Sequence, residues 1–171
     1  LILMHGVSAS GKSTISQALM QKLGALRIRS DVERKRIFAD QLEANGGINE
    51  GLYNENASEK TYAHLLLTAG VLLDSGYTVI VDAAFLSHAQ RAPFQQLAAQ
   101  RDVDFAVINL ECDPGVLRQR IQSRTRDISD ATLEVLEHQL TRVQTPRSDE
   151  NALNVDTRRS VEIEDLINRL K

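Results

Sequence analysis

The segment of residues 6–13 has the residue types and the spacing of a phosphate-binding loop. It reads GVSASGKS, which fills every position of the pattern GxxxxGK[ST]. Small residues let successive backbone N–H groups curl around phosphate oxygens, and the N-terminus of a following helix adds partial positive charge. The pattern predicts that a nucleoside triphosphate contacts a run of neighbouring residues: Ser8, Ala9, Ser10, Gly11, Lys12, Ser13 and Thr14.

Two side chains of this loop have the chemistry to act on the phosphates. The ammonium group of Lys12 can reach the β- and γ-phosphates, and the hydroxyl group of Ser13 can ligate the Mg²⁺ ion that bridges them. The neighbouring elements support this interpretation over a chance Gly-Lys-Ser sequence. Residues 1–4 read LILM, which is typical of a buried strand, and apolar residues at positions 15, 18, 19 and 23 have the period of a helix.

A second group of candidate residues follows the next predicted strand. Residues 25–29 alternate like a strand, and residues 30–33 read SDVE, a capping box that predicts a helix through about Ala39. Asp31 and Arg34 then share one face of its first turn, where the carboxylate can accept the proton of an attacking hydroxyl group or orient it. Arg34 can hold an anionic or polar part of the acceptor. The alternatives are that Asp31 only complements the helix dipole and that Arg34 is a solvated charge.

Asp82 ends the apolar stretch of residues 79–81 and so resembles a Walker B acid. This position predicts that its carboxylate holds a magnesium-bound water or a group of the substrate. We therefore assign the metal to Ser13 and Asp82, and we count Asp82 among the substrate-binding residues. As alternatives, the carboxylate could cap a helix or pair with Arg34.

Four arginines fall between residues 118 and 126. Arg120 and Arg124 lie four residues apart on a predicted helix, so their side chains project the same way. Such a cluster can fold over the nucleotide as a lid, here at about residues 118–130, because a guanidinium group binds phosphate bidentately and stays charged. One arginine would contact the nucleotide, and another the charge that develops on the transferred phosphoryl group. An ordinary solvated helix face is the alternative.

Strand and helix patterns alternate along the whole chain. This order predicts an α/β fold in which a parallel sheet is covered by helices on both faces and binds ligands at the carboxyl ends of its strands. Two further helix starts are predicted by SHAQ at residues 87–90 and by Asp-Pro at residues 113–114. The length of 171 residues suits one domain, so we expect residues 1–171 to form a single domain.

Composition and charge limit the partners and the compartment. No apolar run approaches the roughly 20 residues that cross a bilayer, so we expect no membrane partner. The single cysteine, Cys112, favours the reducing cytoplasm. The net charge of −3 argues against an extensive nucleic-acid surface and favours a small molecule or a nucleotide end as the acceptor. The chain opens on its first strand without an initiator Met, which is compatible with a fused upstream domain.

Two large classes of triphosphate-binding protein lack their diagnostic residues. A GTPase switch needs DxxG and NKxD segments, and the sequence contains neither. An AAA-type motor carries Glu directly after the strand-end acid, where this chain has Ala83. Small phosphotransferase chemistry is the class that remains.

The loop of residues 6–14, the SDVER segment of residues 30–34, the VIVDAAF segment of residues 79–85 and the Arg120/Arg124 pair together resemble the small P-loop kinases. This group includes polynucleotide kinase, gluconate kinase and zeta toxin, and the similarity covers nearly the whole chain. It looks closest to predicted ATP-binding kinase domains that are often fused behind an aminoglycoside-phosphotransferase-like domain. The resemblance implies a five-stranded parallel sheet in the order 2-3-1-4-5 with a helical lid. Residues 40–56 depart from the gluconate kinase substrate segment, which leaves the acceptor open.

The resemblance also implies roles for individual residues. The general base of polynucleotide kinases falls on Asp31 and their substrate-phosphate ligand on Arg34, while the lid arginines fall on Arg120 and Arg124. The predicted catalytic residues are accordingly Lys12, Asp31 and Arg124, in an ATP- and Mg²⁺-dependent kinase that phosphorylates a hydroxyl group. The alternative is an ATP-binding regulatory module that hydrolyses ATP slowly and acts on a fused domain or partner.

Overall fold

The computed structural model describes residues 1–39, 55–123 and 132–170 of the chain. Five strands and seven helices lie in these ranges, and none of the helices found there is both long enough and apolar enough to span a bilayer. The strands are β1 (Ile2–His5), β2 (Leu26–Arg29), β3 (Val79–Asp82), β4 (Ala106–Glu111) and β5 (Ala152–Asp156). The helices are α1 (Lys12–Leu23), α2 (Ser30–Ile37), α3 (Glu55–Asp74), α4 (His88–Gln100), α5 (Pro114–Ser123), α6 (Leu133–Arg142) and α7 (Ile163–Leu170).

The five strands form one parallel sheet in the order β2-β3-β1-β4-β5, which confirms the predicted topology. The register pairs Met4 with Asp82 on one side and with Ile108 on the other, and it pairs Arg29 with Asp82. Because the carboxyl ends of parallel strands meet at one edge, the phosphate loop, the start of α2 and Asp82 all lie at that edge.

Apolar side chains fill both faces of the sheet, as the alternation of a strand requires. In β3, Val79 and Val81 belong to a cluster with Leu65 of α3 and Phe94 of α4, while Ile80 belongs to a second cluster with residues of α1 and α7. Helices therefore cover the sheet on both sides. This is the predicted three-layer α/β architecture.

All three predicted helices are present, and the cap residues predicted for two of them are confirmed. Ser87 and Gln90 form a capping box, and Oδ1 of Asp113 accepts a hydrogen bond from the backbone N–H two residues further on. The capping box predicted at residues 30–33 is wrong. Helix α2 begins at Ser30 itself, and its N-cap is Arg29, which is extended and makes no side-chain cap. Strand β2 runs straight into α2, so no loop residue remains to cap the helix.

The predicted lid is described only in part. Residues 118–123 belong to α5, whereas residues 124–130, with Arg124 and Arg126, lie outside the described residues. The same holds for most of the segment 40–56, of which only residues 55 and 56, the first two of α3, are described.

Candidate active site

A cleft of about 1390 Å³ opens at the carboxyl edge of the sheet. The predicted phosphate loop and the start of α1 form one wall, and α2, α3, α4 and α6 contribute the others. The lining brings together most of the residues predicted from the sequence: Ser8, Ala9, Gly11, Lys12, Ser13, Thr14, Asp31, Arg34 and Asp82. Ser10 is buried instead, and Arg120 is not part of the lining. Three separate segments of the sequence therefore meet in one cleft.

The backbone of the loop depends on glycine at two positions. Gly6 has a φ of +146°, and a Cβ there would lie 2.7 Å from Oγ of Ser10 and 3.1 Å from the carbonyl oxygen of Leu110. Gly11 has a φ of +93° and caps the N-terminus of α1. Between them Ala9 has a φ of +64°, which costs a non-glycine residue about 1 kcal/mol or more. These left-handed turns make the loop curl, so that its N–H groups can converge on a ligand.

Lys12 is folded back across the loop. Its Nζ donates to the carbonyl oxygens of Gly6 at 2.8 Å and Val7 at 2.7 Å, and Oγ of Ser10 lies 3.5 Å away. A triphosphate would offer the ammonium group charged oxygens, which form stronger hydrogen bonds than carbonyls do. In this structure the ammonium group lies at the start of the loop, where it bonds these two carbonyl oxygens.

The carboxylate of Asp82 is 5% exposed at the end of β3. Its Oδ2 accepts a hydrogen bond from Oγ of Ser16 at 2.8 Å, and Nη1 of Arg27 lies 4.0 Å away. Among the described residues, Asp82 therefore pairs with Arg27, whereas the sequence analysis gave Arg34 as its alternative partner. Oδ1 has no hydrogen-bond partner among the described residues. A carboxylate and the hydroxyl group of Ser13 are hard oxygen ligands, so the two residues fit a Mg²⁺ ion that keeps water and phosphate as its other ligands.

At the start of α2, the carboxylate of Asp31 is fixed by its neighbours. Arg29 donates to both of its oxygens, at 3.2 and 2.6 Å, and the N–H of Val32 donates to Oδ1 at 2.9 Å. Arg34 is buried beside it, with Nη1 3.5 Å from Oγ of Ser58 on α3. Sequence reasoning did not single out Arg29, although its position at the strand end beside an acid was visible. Arg29 thus fixes the carboxylate of Asp31, and Asp31 and Arg34 both line the cleft.

Arg120 contacts the phosphate loop from its outer side. Its Nη1 donates to the carbonyl oxygen of Ala9 at 3.1 Å, and its Nη2 donates to the carbonyl oxygen of Thr157. Two residues earlier on α5, Arg118 forms a bidentate ion pair with Glu137, with Nε 2.6 Å from Oε1. Helices α5 and α6 are therefore linked to each other, and α5 is linked to the loop.

Helix α6 contributes a cleft residue that the sequence analysis missed. Oε1 of Gln139 accepts a hydrogen bond from the N–H of Ser8 at 2.6 Å. On the buried side of α6, Leu136 belongs to an apolar cluster with Val7 and Ala9 of the loop. Gln139 and Ser8 are 131 residues apart, and a glutamine on an amphipathic helix has no chemical signature. No pattern in the sequence could have paired them.

Tyr62 of α3 and Phe94 of α4 line the cleft, and the ring of Phe85 packs against both. The ring centroid of Phe85 lies 5.1 Å from that of Tyr62 and 5.0 Å from that of Phe94, and both contacts are edge-to-face. The hydroxyl oxygen of Tyr62 accepts a hydrogen bond from the N–H of Phe85 at 3.0 Å. The φ of Phe85 is +49°. Burial raises the pKa of Tyr62 to about 12, so its hydroxyl group stays neutral at physiological pH.

A fully buried ion pair, Arg91 with Glu150, contacts the backbone of Phe85. Arg91 and Glu150 form two hydrogen bonds, Nε to Oε1 at 2.7 Å and Nη2 to Oε2 at 3.0 Å. Nη1 of Arg91 also donates to the carbonyl oxygens of Phe85 and Gln144. Burial alone would raise the pKa of Glu150, but Arg91 and the N–H of Arg147 outweigh it and hold that pKa at about 2. The network ties the chain after α6 to the loop after β3.

Comparison with known proteins identifies a family and several related folds. The family model AAA_33, described as an AAA domain, matches residues 1–146. An uncharacterised protein of Mycobacterium tuberculosis (strain H37Rv) is 32% identical over 139 residues, which are 79% of this chain and 28% of that protein. The chain therefore spans less than a third of the length of this curated relative.

Two solved structures show the same fold at low sequence identity. A sugar kinase from Janibacter sp. HTCC2649 is 20% identical, with a TM-score of 0.74 over 98% of this chain and 90% of that one. The APS kinase of Mycobacterium tuberculosis, in complex with AMPPNP and APS, is 19% identical, with a TM-score of 0.73 over 99% and 95% of the two chains. The buried Ala83 still stands where an AAA-type motor carries Glu. With an intact phosphate loop and a family model that matches most of its length, the chain belongs to the AAA_33 family of AAA domains.

Proposed function

We propose that the protein is an ATP- and Mg²⁺-dependent kinase that transfers the γ-phosphoryl group to a hydroxyl group of a small molecule or a nucleotide end. The observation that carries this proposal is the continuous cleft that joins the phosphate loop to Asp31 and Arg34. A protein that only bound ATP would need the first half of this cleft and not the second. The similarity of the fold to a sugar kinase and to an APS kinase supports the same reaction class.

On the donor side, the loop N–H groups and Lys12 would bind the phosphates. Lys12 would exchange two carbonyl partners for phosphate oxygens, and it would stabilise the negative charge that develops during transfer. Ser13 and Asp82 would hold the Mg²⁺ ion, which neutralises charge on the β- and γ-phosphates when it is bound. Arg120 and Arg124 complete this side of the proposal as lid arginines.

On the acceptor side, Asp31 would orient the attacking hydroxyl group. The hydroxyl oxygen forms a bond to the γ-phosphorus while the bond from that phosphorus to the β,γ-bridging oxygen breaks, and the proton passes to Asp31 and then to solvent. Arg29 keeps the carboxylate in place through two hydrogen bonds. Arg34 would bind a polar or anionic part of the acceptor, because it is buried and lines the same cleft.

The test is transfer of radiolabelled γ-phosphate from ATP to a panel of acceptors. The panel covers sugars, antibiotics, nucleosides and oligonucleotides with a 5′-hydroxyl end, and the matched variant is Asp31→Asn, which keeps the shape of the side chain. We expect labelled product from at least one acceptor class, and we expect Asp31→Asn to lower turnover at least about 100-fold with little change in ATP affinity. Tight ATP binding without transfer to any acceptor would contradict the proposal, and full turnover by Asp31→Asn would remove Asp31 as the base.

A further inference from the structure

Gln139 of α6 forms a hydrogen bond with the phosphate loop. It lines the cleft, and its Oε1 accepts a hydrogen bond of 2.6 Å from the N–H of Ser8. Leu136 lies one turn earlier on the same face of α6 and packs in the same cluster as Val7 and Ala9. The carboxamide is therefore held against the loop by a helix that is itself packed on that loop.

This contact fixes the orientation of the carboxamide. The backbone N–H of Ser8 can donate but cannot accept, so the oxygen of Gln139 faces this N–H and the amide nitrogen points away from it. Nε2 carries two N–H donors, and within the described ranges no residue accepts from them. Gln139 is half-buried and lines the cleft, so its amide nitrogen is available to donate a hydrogen bond to a ligand oxygen.

The position of the contact indicates which ligand oxygen is in reach. The peptide unit that joins Val7 to Ser8 has two partners: its N–H donates to Gln139, and its carbonyl oxygen accepts from Nζ of Lys12 at 2.7 Å. Lys12 is the residue that reaches the β- and γ-phosphates. Because this peptide bond is trans, its N–H and its carbonyl oxygen point in opposite directions, so Gln139 and Lys12 contact it from opposite sides. A phosphoryl group bound over this peptide would be approached by Lys12 from one side and by Gln139 from the other.

We propose that Gln139 is a specificity-determining residue for the triphosphate: its Nε2 donates a hydrogen bond to an oxygen of the γ-phosphoryl group while Ser8 holds its Oε1. This inference rests on the proposed function, because it requires that a nucleoside triphosphate occupies the loop. ADP lacks the γ-phosphoryl group, so the contact distinguishes ATP from ADP. Since the donor is neutral and the recipient charged, the hydrogen bond is of the stronger, charge-assisted kind.

The experiment compares two substitutions of Gln139 by calorimetric titration with Mg²⁺-ADP and Mg²⁺-AMPPNP, a triphosphate analogue that is not hydrolysed. Gln139→Glu keeps an acceptor for Ser8 and replaces the donor by a negative charge. Gln139→Met keeps the length of the side chain and removes both the donor and the acceptor. The readout is the ratio of the ADP dissociation constant to the AMPPNP dissociation constant, which cancels any general damage to the loop.

We expect this ratio to fall about tenfold or more in Gln139→Glu and about three- to tenfold in Gln139→Met, relative to the wild type. Gln17→Glu is the matched control: it places the same charge on α1, elsewhere in the cleft lining, and it should leave the ratio within about threefold. An unchanged ratio in Gln139→Met would overturn the proposal, whatever Gln139→Glu does. A purely structural role for Gln139 predicts this result, because both nucleotides would then weaken equally.

The outcome can be separated from that of the acceptor screen. If the wild type binds AMPPNP and transfers phosphate to no acceptor, the proposed kinase activity fails while the ratio still decides the role of Gln139. If the wild type does not bind AMPPNP, both proposals fail.

Discussion

Replacing Glu150 by Gln would leave the guanidinium group of Arg91 buried without a counter-ion. Both side chains are fully buried, and their two hydrogen bonds are 2.7 and 3.0 Å long. Removing one partner of such a pair costs about 3–5 kcal/mol, because the remaining charge has no access to water. In a domain of this size each kcal/mol shifts the melting temperature by roughly 2–4 °C, so we expect a decrease of about 6–20 °C.

The assay is thermal unfolding at pH 7, followed by circular dichroism, of the wild type, Glu150→Gln, Arg91→Met and the double variant. The double variant contains no buried charge at this position, so it should lose less stability than the sum of the two single variants. Arg91→Met should itself lower the melting temperature, because it also removes the donor to the carbonyl oxygens of Phe85 and Gln144. A melting temperature for Glu150→Gln within about 2 °C of the wild type, or strictly additive losses, would refute the reasoning.

The pH dependence follows from the pKa of Glu150, which is about 2 in the folded protein against an ordinary value of 4.5. A carboxyl group whose pKa is lowered by folding stabilises the protein above its unfolded pKa, and this contribution is lost as the pH falls through the folded pKa. The difference in unfolding free energy between the wild type and Glu150→Gln should therefore shrink between pH 4.5 and pH 2. If this difference in unfolding free energy stayed constant over that pH range, the charge of Glu150 would not be the source of the stabilisation.

Three further substitutions test other parts of the site. Tyr62→Phe removes the acceptor of the N–H of Phe85 and should lower the free energy of unfolding by about 1–3 kcal/mol in a urea titration; a smaller change would mean that this N–H finds another partner. Asp82→Asn should raise the Mg²⁺ concentration needed for half-maximal turnover at least about tenfold, and an unchanged Mg²⁺ titration would exclude Asp82 from the metal site. Gly6→Ala should destabilise the fold by more than Gly76→Ala does, because both have positive φ but only at Gly6 would a Cβ meet atoms within 4 Å; equal losses would contradict this account.

The fold was predictable because its signals are local. Residues 6–13 specify a loop between a strand and a helix, and the apolar runs locate the buried strands without any tertiary information. The capping box at Ser87 could be read in the same way, since its partners are three residues apart. The identical reasoning failed at Ser30, because a capping box presumes a loop residue before the helix, and there the strand leaves none.

The place of Asp31 and Asp82 in the cleft lining was predictable, because Asp82 ends β3 and Asp31 follows the end of β2 by two residues. Their closeness follows from the parallel order of the sheet rather than from any contact between them. The partners that hold them were not predictable. Arg27 pairs with an acid 55 positions further along the sequence, and Gln139 bonds a loop N–H from the far end of the chain, because such contacts are decided by packing and not by spacing.

The direct junction between β2 and α2 has a consequence for how acceptor preference can be altered. Inserting or deleting one residue there would turn Asp31 by about 100° around the helix axis and carry it away from the cleft. The position of Asp31 is thus sensitive to a change in chain length that an ordinary loop would absorb. Under the proposed function, acceptor preference would therefore be altered by substitutions on the facing walls, which α3, α4 and α6 present to the same cleft.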